Sequence, residues 1–160
     1  MNTLISTEEI KKLYGTKGIT FTALDGVNLD VTEGEFLGIM GPSGSGKTTL
    51  LNILSTIDIP TSGRVLFKGK EYGKMSKSEQ AKFRRENVGF IFQDFNLLDN
   101  MTVEDNIALP LALSGRPYNE ITVRVLELGS FFGLESHLKK YPYQLSGGQK
   151  QRASAAKAII

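Results

Sequence analysis

The chain sets short apolar runs between polar, glycine-punctuated breaks, and the spacing of those runs predicts most of its elements. Val27-Asn28-Leu29-Asp30-Val31 alternates strictly and reads as a half-exposed strand. Thr32-Glu33-Gly34-Glu35 is a turn, and the apolar run Phe36-Leu37-Gly38-Ile39-Met40 predicts a buried strand aimed into a glycine-rich loop. From about Lys47 a helical period takes over, placing Leu50, Leu51, Ile53 and Leu54 on an inner face. Residues 59–63 break the pattern, and a strand is expected over 64–67. Ser76, with Glu79 three residues on, has capping-box spacing and opens a polar helix that reaches Glu86. Residues 88–92 predict a second buried strand, ending at Gln93. Thr102 caps a helix that begins Val103-Glu104-Asp105-Asn106, and Pro110 should kink or end it. A further helix is expected from about Glu120 to Phe132. Tyr141-Pro142-Tyr143 reads as a loop, and Ser146 opens a last helix. The strand-loop-helix order implies an α/β layer around a largely parallel sheet, with the middle third as a helical insertion.

Composition narrows the class without deciding it. A length of 160 residues fits about one domain. The net charge of +2 is too small to argue for nucleic acid, and no nucleic-acid partner is expected. Residues 68–86 hold seven Lys/Arg against three Asp/Glu, which reads as a solvated helix face. Cysteine is absent, so there is no disulfide framework and no cysteine-based metal site. Met1–Ser6 lacks the basic-then-apolar order of a leader, and no apolar stretch approaches the ~18 residues of a membrane span. The expectation is a soluble chain that meets a membrane only through a partner.

Two segments carry chemistry. Gly41-Pro42-Ser43-Gly44-Ser45-Gly46-Lys47-Thr48 fits the phosphate-loop pattern of a glycine, four residues and Gly-Lys-Thr. Gly41, Gly44 and Gly46 allow the chain to curl until its N–H groups can reach triphosphate oxygens. The helix that follows directs its positive end at the same phosphates. Lys47 can span the β- and γ-phosphates, the Thr48 hydroxyl can ligate Mg²⁺, and Thr49 is counted with the loop among the nucleotide-binding residues. The second segment, Leu145-Ser146-Gly147-Gly148-Gln149, opens a helix with a hydroxyl and two residues without side chains, a second anion-binding terminus. One triphosphate is already cradled by the glycine loop, so this second terminus makes most sense against another subunit's ATP. Gln93, between the two, can hold Mg²⁺ or the attacking water.

In these segments the chain resembles the nucleotide-binding subunit of an ATP-binding-cassette (ABC) transporter, over essentially its whole length. Gly41–Thr48 resembles the Walker A loop, Gln93 the Q-loop, and Leu145–Gln149 the signature sequence. Tyr14 resembles the aromatic that stacks on adenine. The stretches Gly89–Leu98 and Gly147–Arg152 resemble the branch of macrolide-exporter and lipoprotein-release ATPases. Within it, Gln93–Asp99 and Arg152–Ala155 are most similar to the bacitracin- and lantibiotic-resistance ATPases.

The resemblance implies a P-loop NTPase fold with a RecA-like core. Residues 1–93 would form the ATP-binding core, 94–146 a helical subdomain and 147–160 the signature helix. It implies ATP and Mg²⁺ as ligands and ATP hydrolysis with Lys47 and Gln93 in the catalytic set. A second ABC subunit, head to tail, and a transmembrane permease would be the partners, with the protein on the cytoplasmic face of the membrane. Family members continue to a Walker B aspartate, a catalytic glutamate and a switch histidine, and none follows Ile160, so a fragment of a longer protein is expected. His137, the one histidine, precedes the signature and reads as a surface helix position. Phe131, Phe132 and Leu134 read as core. A soluble ABC ATPase outside transport, or a nucleotide-binding module without turnover, remains the alternative at this point.

Overall fold

The computed structural model describes residues 2–16 and 18–160. Met1, at the head of the stretch read above for a leader, and Lys17 lie outside them. The chain divides into two compact units, Met1–Arg84 and Arg85–Ile160. The first is built on a long hairpin: β1 (Thr3–Thr16) and β2 (Ile19–Thr32) run antiparallel, paired from Thr3↔Thr32 to Thr16↔Ile19 with several register shifts between. The alternating stretch 27–31 lies in β2, as its pattern predicts. β1 also pairs with β3 (Ser62–Phe67), which turns into β4 (Lys70–Glu71), giving the order β2-β1-β3-β4.

The hairpin carries a bulge at Glu9, whose φ is 47° and where the β1–β2 register shifts. Asn28 pins it: its carboxamide oxygen accepts from the Glu9 N–H at 2.8 Å and its amide donates to the Glu9 carboxylate. β3 can approach only through Gly63, where φ is +87° and a Cβ would stand 2.4 Å from the Glu9 carbonyl oxygen.

Against this sheet sits α1 (Lys47–Leu54), burying Leu50 and Ile53. Leu51, expected inside, is about half-exposed. Positions 50 and 51 are about 100° apart on the helix, and packing against a single layer cannot cover both. α2 (Lys77–Asn87) begins at the expected box, with the Ser76 N–H donating to the Glu79 carboxylate at 2.7 Å and the Glu79 N–H to the Ser76 hydroxyl at 3.3 Å. It delivers Phe83 edge-on to Phe67 and beside Tyr72, ring centroids 4.9 and 5.3 Å away. The buried Tyr72 hydroxyl donates to the Leu54 carbonyl at 2.6 Å, and burial pushes its pKa well above the ordinary phenol range.

The second unit is helical. α3 (Val103–Leu113), α4 (Tyr118–Phe131) and α5 (Gly147–Ile159) enclose Val103, Ile107, Val125, Leu128, Leu134, Leu138, Leu145, Ala153 and Ala156. Thr102 caps α3 in a box with Asp105, as expected. Pro110 does not end α3, which runs on through Leu113; so near the C-terminus the missing N–H removes one bond from an otherwise packed helix. Phe131 is largely exposed, whereas Phe132 and Leu134 join the core. The Tyr141–Tyr143 stretch is no open loop but enters a 3-10 turn, Pro142–Gln144, with Pro142 buried.

The largest departure concerns the two apolar runs. Neither 36–40 nor 88–92 forms a strand, and every pairing among the described residues is antiparallel. Phe36 is fully exposed and Met40 94% exposed; Ile91 and Phe92 are also exposed. A strand that is apolar on both faces holds only when layers cover both faces and neighbours pair its edges. Among the described residues none pairs with either run, so the expected parallel sheet and the strand ending at Gln93 do not form.

Candidate nucleotide-binding site

The glycine loop occupies 41–46 and closes on the first turn of α1. Gly41, Gly44 and Gly46 all have positive φ, at 155°, 80° and 87°. Gly46 is the N-cap of α1 in the left-handed region, and a Cβ there would stand 2.4 Å from the Ala23 carbonyl oxygen. At Gly41 a Cβ would meet the Ser45 hydroxyl at 2.8 Å. The loop therefore needs glycine both for its dihedrals and for its seat on β2. Its curl surrounds the Lys47 ammonium, which donates to the carbonyls of Gly41 and Pro42 at 2.9 and 2.7 Å and approaches the Ser45 hydroxyl at 3.4 Å. Pro42, Ser43 and the Thr48 hydroxyl group are on exposed residues, and Thr49 is half-buried behind them.

One contrast marks this helix end. α3 and α5 have their first-turn N–H groups closed by side-chain boxes, but Gly46 offers α1 no side-chain cap. The donors of the first turn stay open beside a lysine ammonium and a free hydroxyl, a donor set that fits a polyphosphate and its divalent cation.

Tyr14 belongs to the same end of the unit. Gly46 seats on β2 at Ala23, and β1 pairs Lys12 with Leu24, Leu13 with Thr22 and Tyr14 with Phe21. The tyrosine is thus one strand over from the loop and about two residues along. Its hydroxyl donates to Asp58 at 2.7 Å, and the Lys12 ammonium lies 4.9 Å from its ring centroid. Asp58, in the turn after α1, is a residue the sequence reading passed over. It lies 44 positions from Tyr14 and one residue ahead of the break at 59–63, so no sequence pattern marked it.

In the second unit, Ser146 caps α5 with extended dihedrals. Its N–H donates to the Gln149 carboxamide oxygen at 2.8 Å, and the Gln149 N–H returns to its hydroxyl at 3.4 Å. The Gln149 amide nitrogen lies 2.8 Å from Nε2 of His137, whose Nδ1 is 2.9 Å from the Ser136 hydroxyl. His137 is therefore not a free surface position but a half-buried anchor in a 3-10 turn. Gly147 and Gly148 have ordinary helical dihedrals, and a Cβ on either would meet nothing within 4 Å. Among the described residues, nothing packs where either Cβ would stand.

Gln93 lies exposed in a turn of the second unit. Phe95 and Asn96, just after it, both have positive φ, 61° and 50°. The segment is fastened on either side. A Cβ at Gly89 would stand 2.1 Å from the Ala158 carbonyl oxygen of α5. Further on, the Leu98 N–H and carbonyl are both bound by the fully buried amide of Asn106, at 2.7 and 3.0 Å.

A glycine cradle closed by Lys-Thr at an uncapped helix end defines a P-loop nucleotide-binding protein. The comparisons make this specific: residues 24–160 match the ABC transporter family, and the chain belongs to it. It is 49% identical over its full length to an uncharacterized ABC transporter ATP-binding protein, YvcR, of Bacillus subtilis, covering 62% of that protein. It is 45% identical over 98% of its length to the bacitracin export ATP-binding protein BceA of Halalkalibacterium halodurans, covering 62% of it. With the methionine import ATP-binding protein MetN of the same organism it shares 46% identity, over 98% of this chain and 46% of that one. Among solved structures, the dimeric, post-hydrolysis form of the ATP-binding cassette MJ0796 bound to ADP and Pi superposes with a TM-score of 0.89. Identity is 39%, over 98% of this chain and 69% of that one. The α/β P-loop fold of an ABC ATPase is thereby established. The chain spans about three fifths of the length of the first two relatives.

Proposed function

We propose that this chain is the ATP-binding part of an ABC transporter subunit that binds and hydrolyses MgATP between two copies arranged head to tail. The observation that carries the reading is the end of α5: two glycines whose side-chain positions face open space, between a capping serine and a glutamine. Glycine in a helix costs about 0.5–1 kcal/mol relative to alanine. With no contact among the described residues to demand that cost, we assign the demand to a partner that approaches the helix end closely.

In this reading residues 1–93 form the ATP-binding core, 94–146 the helical subdomain and 147–160 the signature helix. Tyr14 stacks on adenine, and the N–H groups of Gly41 and of residues 43–49 donate to phosphate oxygens, with Pro42 shaping the loop between them. Lys47 leaves its loop carbonyls for the phosphate oxygens, where its charge offsets that developing on the transferred group. Thr48 and Gln93 would hold Mg²⁺, which would supply positive charge against that of the phosphates. Ser146, Gly147 and Gly148 close on the γ-phosphate of the facing subunit, with Gln149 shaping that helix end.

The partners are a second ATPase subunit and a membrane permease, which places the protein on the inner face of the membrane; no described helix is long and apolar enough to cross it. For cargo, overall identity does not discriminate, being 45% to the bacitracin-export relative and 46% to the methionine-import one. The local likeness of Gln93–Asp99 and Arg152–Ala155 to peptide-antibiotic resistance ATPases favours export or detoxification of antimicrobial peptides, with lipoproteins and macrolides as the other cargoes of the branch the chain resembles.

Two variants of the full-length protein test the division of roles. Lys47→Ala should weaken fluorescent-ATP binding by about tenfold or more, since a charge-assisted contact contributes ~1.5–3 kcal/mol. Ser146→Arg should leave ATP binding to the monomer intact and abolish ATP-dependent dimerisation in size-exclusion chromatography. Loss of monomer binding in Ser146→Arg would refute the role between subunits.

A further inference from the structure

Asp58 draws three groups together. One carboxylate oxygen accepts from the Tyr14 hydroxyl at 2.7 Å; the other accepts from the Lys12 ammonium at 2.6 Å and from the Ile59 N–H at 2.7 Å. The ammonium is fixed further by the Ile59 carbonyl at 2.8 Å. Lys12 is nearly covered, its side chain 13% exposed, while Tyr14 keeps 41% of its surface in solvent. The cation lies over the tyrosine ring, 4.9 Å from its centre. A tyrosine near the end of an exposed hairpin would otherwise sample several rotamers. Here its tip is tied to one anion and its ring is backed by the cation that neutralises that anion.

We propose that Asp58 is a positioning residue for the nucleotide base: with Lys12 it locks Tyr14 in place, so that one ring face is backed by an ammonium and the rest is held ready for adenine. This rests on the reading of Tyr14 as the adenine platform and deepens it. A loose aromatic must be ordered when the base arrives, at a cost of about 0.5–1.5 kcal/mol per immobilised side chain. A tethered one is ordered in advance. Four residues in two segments (Lys12 and Tyr14 of β1, Asp58 and Ile59 of the turn after α1) assemble the lock, and its hydrogen bonds share no residue with those that Lys47 makes to the glycine loop. Base recognition and phosphate recognition are therefore separable by mutation.

The test uses full-length protein and two probes, ATP and inorganic tripolyphosphate, titrated by calorimetry. Asp58→Ala should weaken ATP binding about fivefold while leaving tripolyphosphate affinity unchanged. Tyr14→Phe removes only the tethered hydroxyl and should produce a similar loss. A platform that acts by stacking alone would leave Tyr14→Phe neutral, which would overturn the lock. The double variant Asp58→Ala/Tyr14→Phe should bind ATP no worse than either single one, because both break the same tie. Parallel loss of ATP and tripolyphosphate in Asp58→Ala would show a general structural defect and refute the proposal. Should Tyr14→Ala weaken ATP while Asp58→Ala and Tyr14→Phe do not, the platform stands and the lock falls. If Tyr14→Ala itself has no effect, both fall, while the Lys47 and Ser146 variants still report on the wider reading.

Discussion

Asp58 also shows how a single carboxylate ties binding to stability. Burial alone would raise its pKa, but hydrogen bonds from Lys12, Tyr14 and the Ile59 N–H, with the Lys12 charge, outweigh burial and hold it below the ordinary aspartate range. A group whose folded pKa is depressed contributes stability above its unfolded value, about 4, and loses it as pH falls through the lower folded value. Asp58→Asn should therefore melt at a lower temperature than the parent at pH 7. The gap should narrow steadily below about pH 4, where the parent's own carboxylate becomes protonated. Thermal denaturation followed by circular dichroism from pH 7 to pH 2.5 measures this, and a gap independent of pH would contradict it. The side chain is 28% exposed, so solvent screening keeps the effect modest.

At the level of elements, the helix ends separate by what closes them. α5 is capped by its own Ser146 and Gln149, yet keeps two glycines that add nothing to that cap. Gly148→Ala should raise or preserve the melting temperature, following helix propensity, while ATP-dependent dimerisation of the full-length protein falls at least tenfold. A variant that dimerises normally would mean that the open space beside Gly148 receives nothing. That Gln149 closes a box on Ser146 emerged from the structure, but the caps at Ser76, Thr102 and Ser146 were legible beforehand because a cap is local: Ser76 and Glu79 are only three residues apart. The glycine loop was legible for the same reason. Less visible was anything set by distant pairing. Only 27–31 of the long hairpin announced itself, since the bulge at Glu9 and the register shifts around it disturb the alternation of β1. The Asp58–Tyr14 tie joins residues with no periodic relation. The runs 36–40 and 88–92 declared a need for burial, but an apolar run does not name the strand that must lie beside it.

For the molecule as a whole, those two runs are the pressing feature. Phe36, Met40, Ile91 and Phe92 present apolar surface without ladder partners among the described residues, and such segments invite pairing between chains. Residues 1–160 produced alone are therefore expected to scatter light at micromolar concentration, to bind MgATP weakly at best and to release phosphate at background rate. The full-length protein should do none of these. Equal solubility and equal ATPase activity of the two would show that the sheet described here is sufficient for the fold.

The paired glycines of α5 have one more consequence, for variation. A site read by side chains can be tuned upward as well as downward, by lengthening an arm or adding a donor. At 147 and 148 there is no arm to lengthen, only backbone and the room in front of it. In the proposed pairing, every substitution there would fill space that a docking anion would need, whatever the new residue's charge or polarity. Affinity at this point would then drift in one direction only, and a stronger closure of the proposed pair would have to come from residues elsewhere.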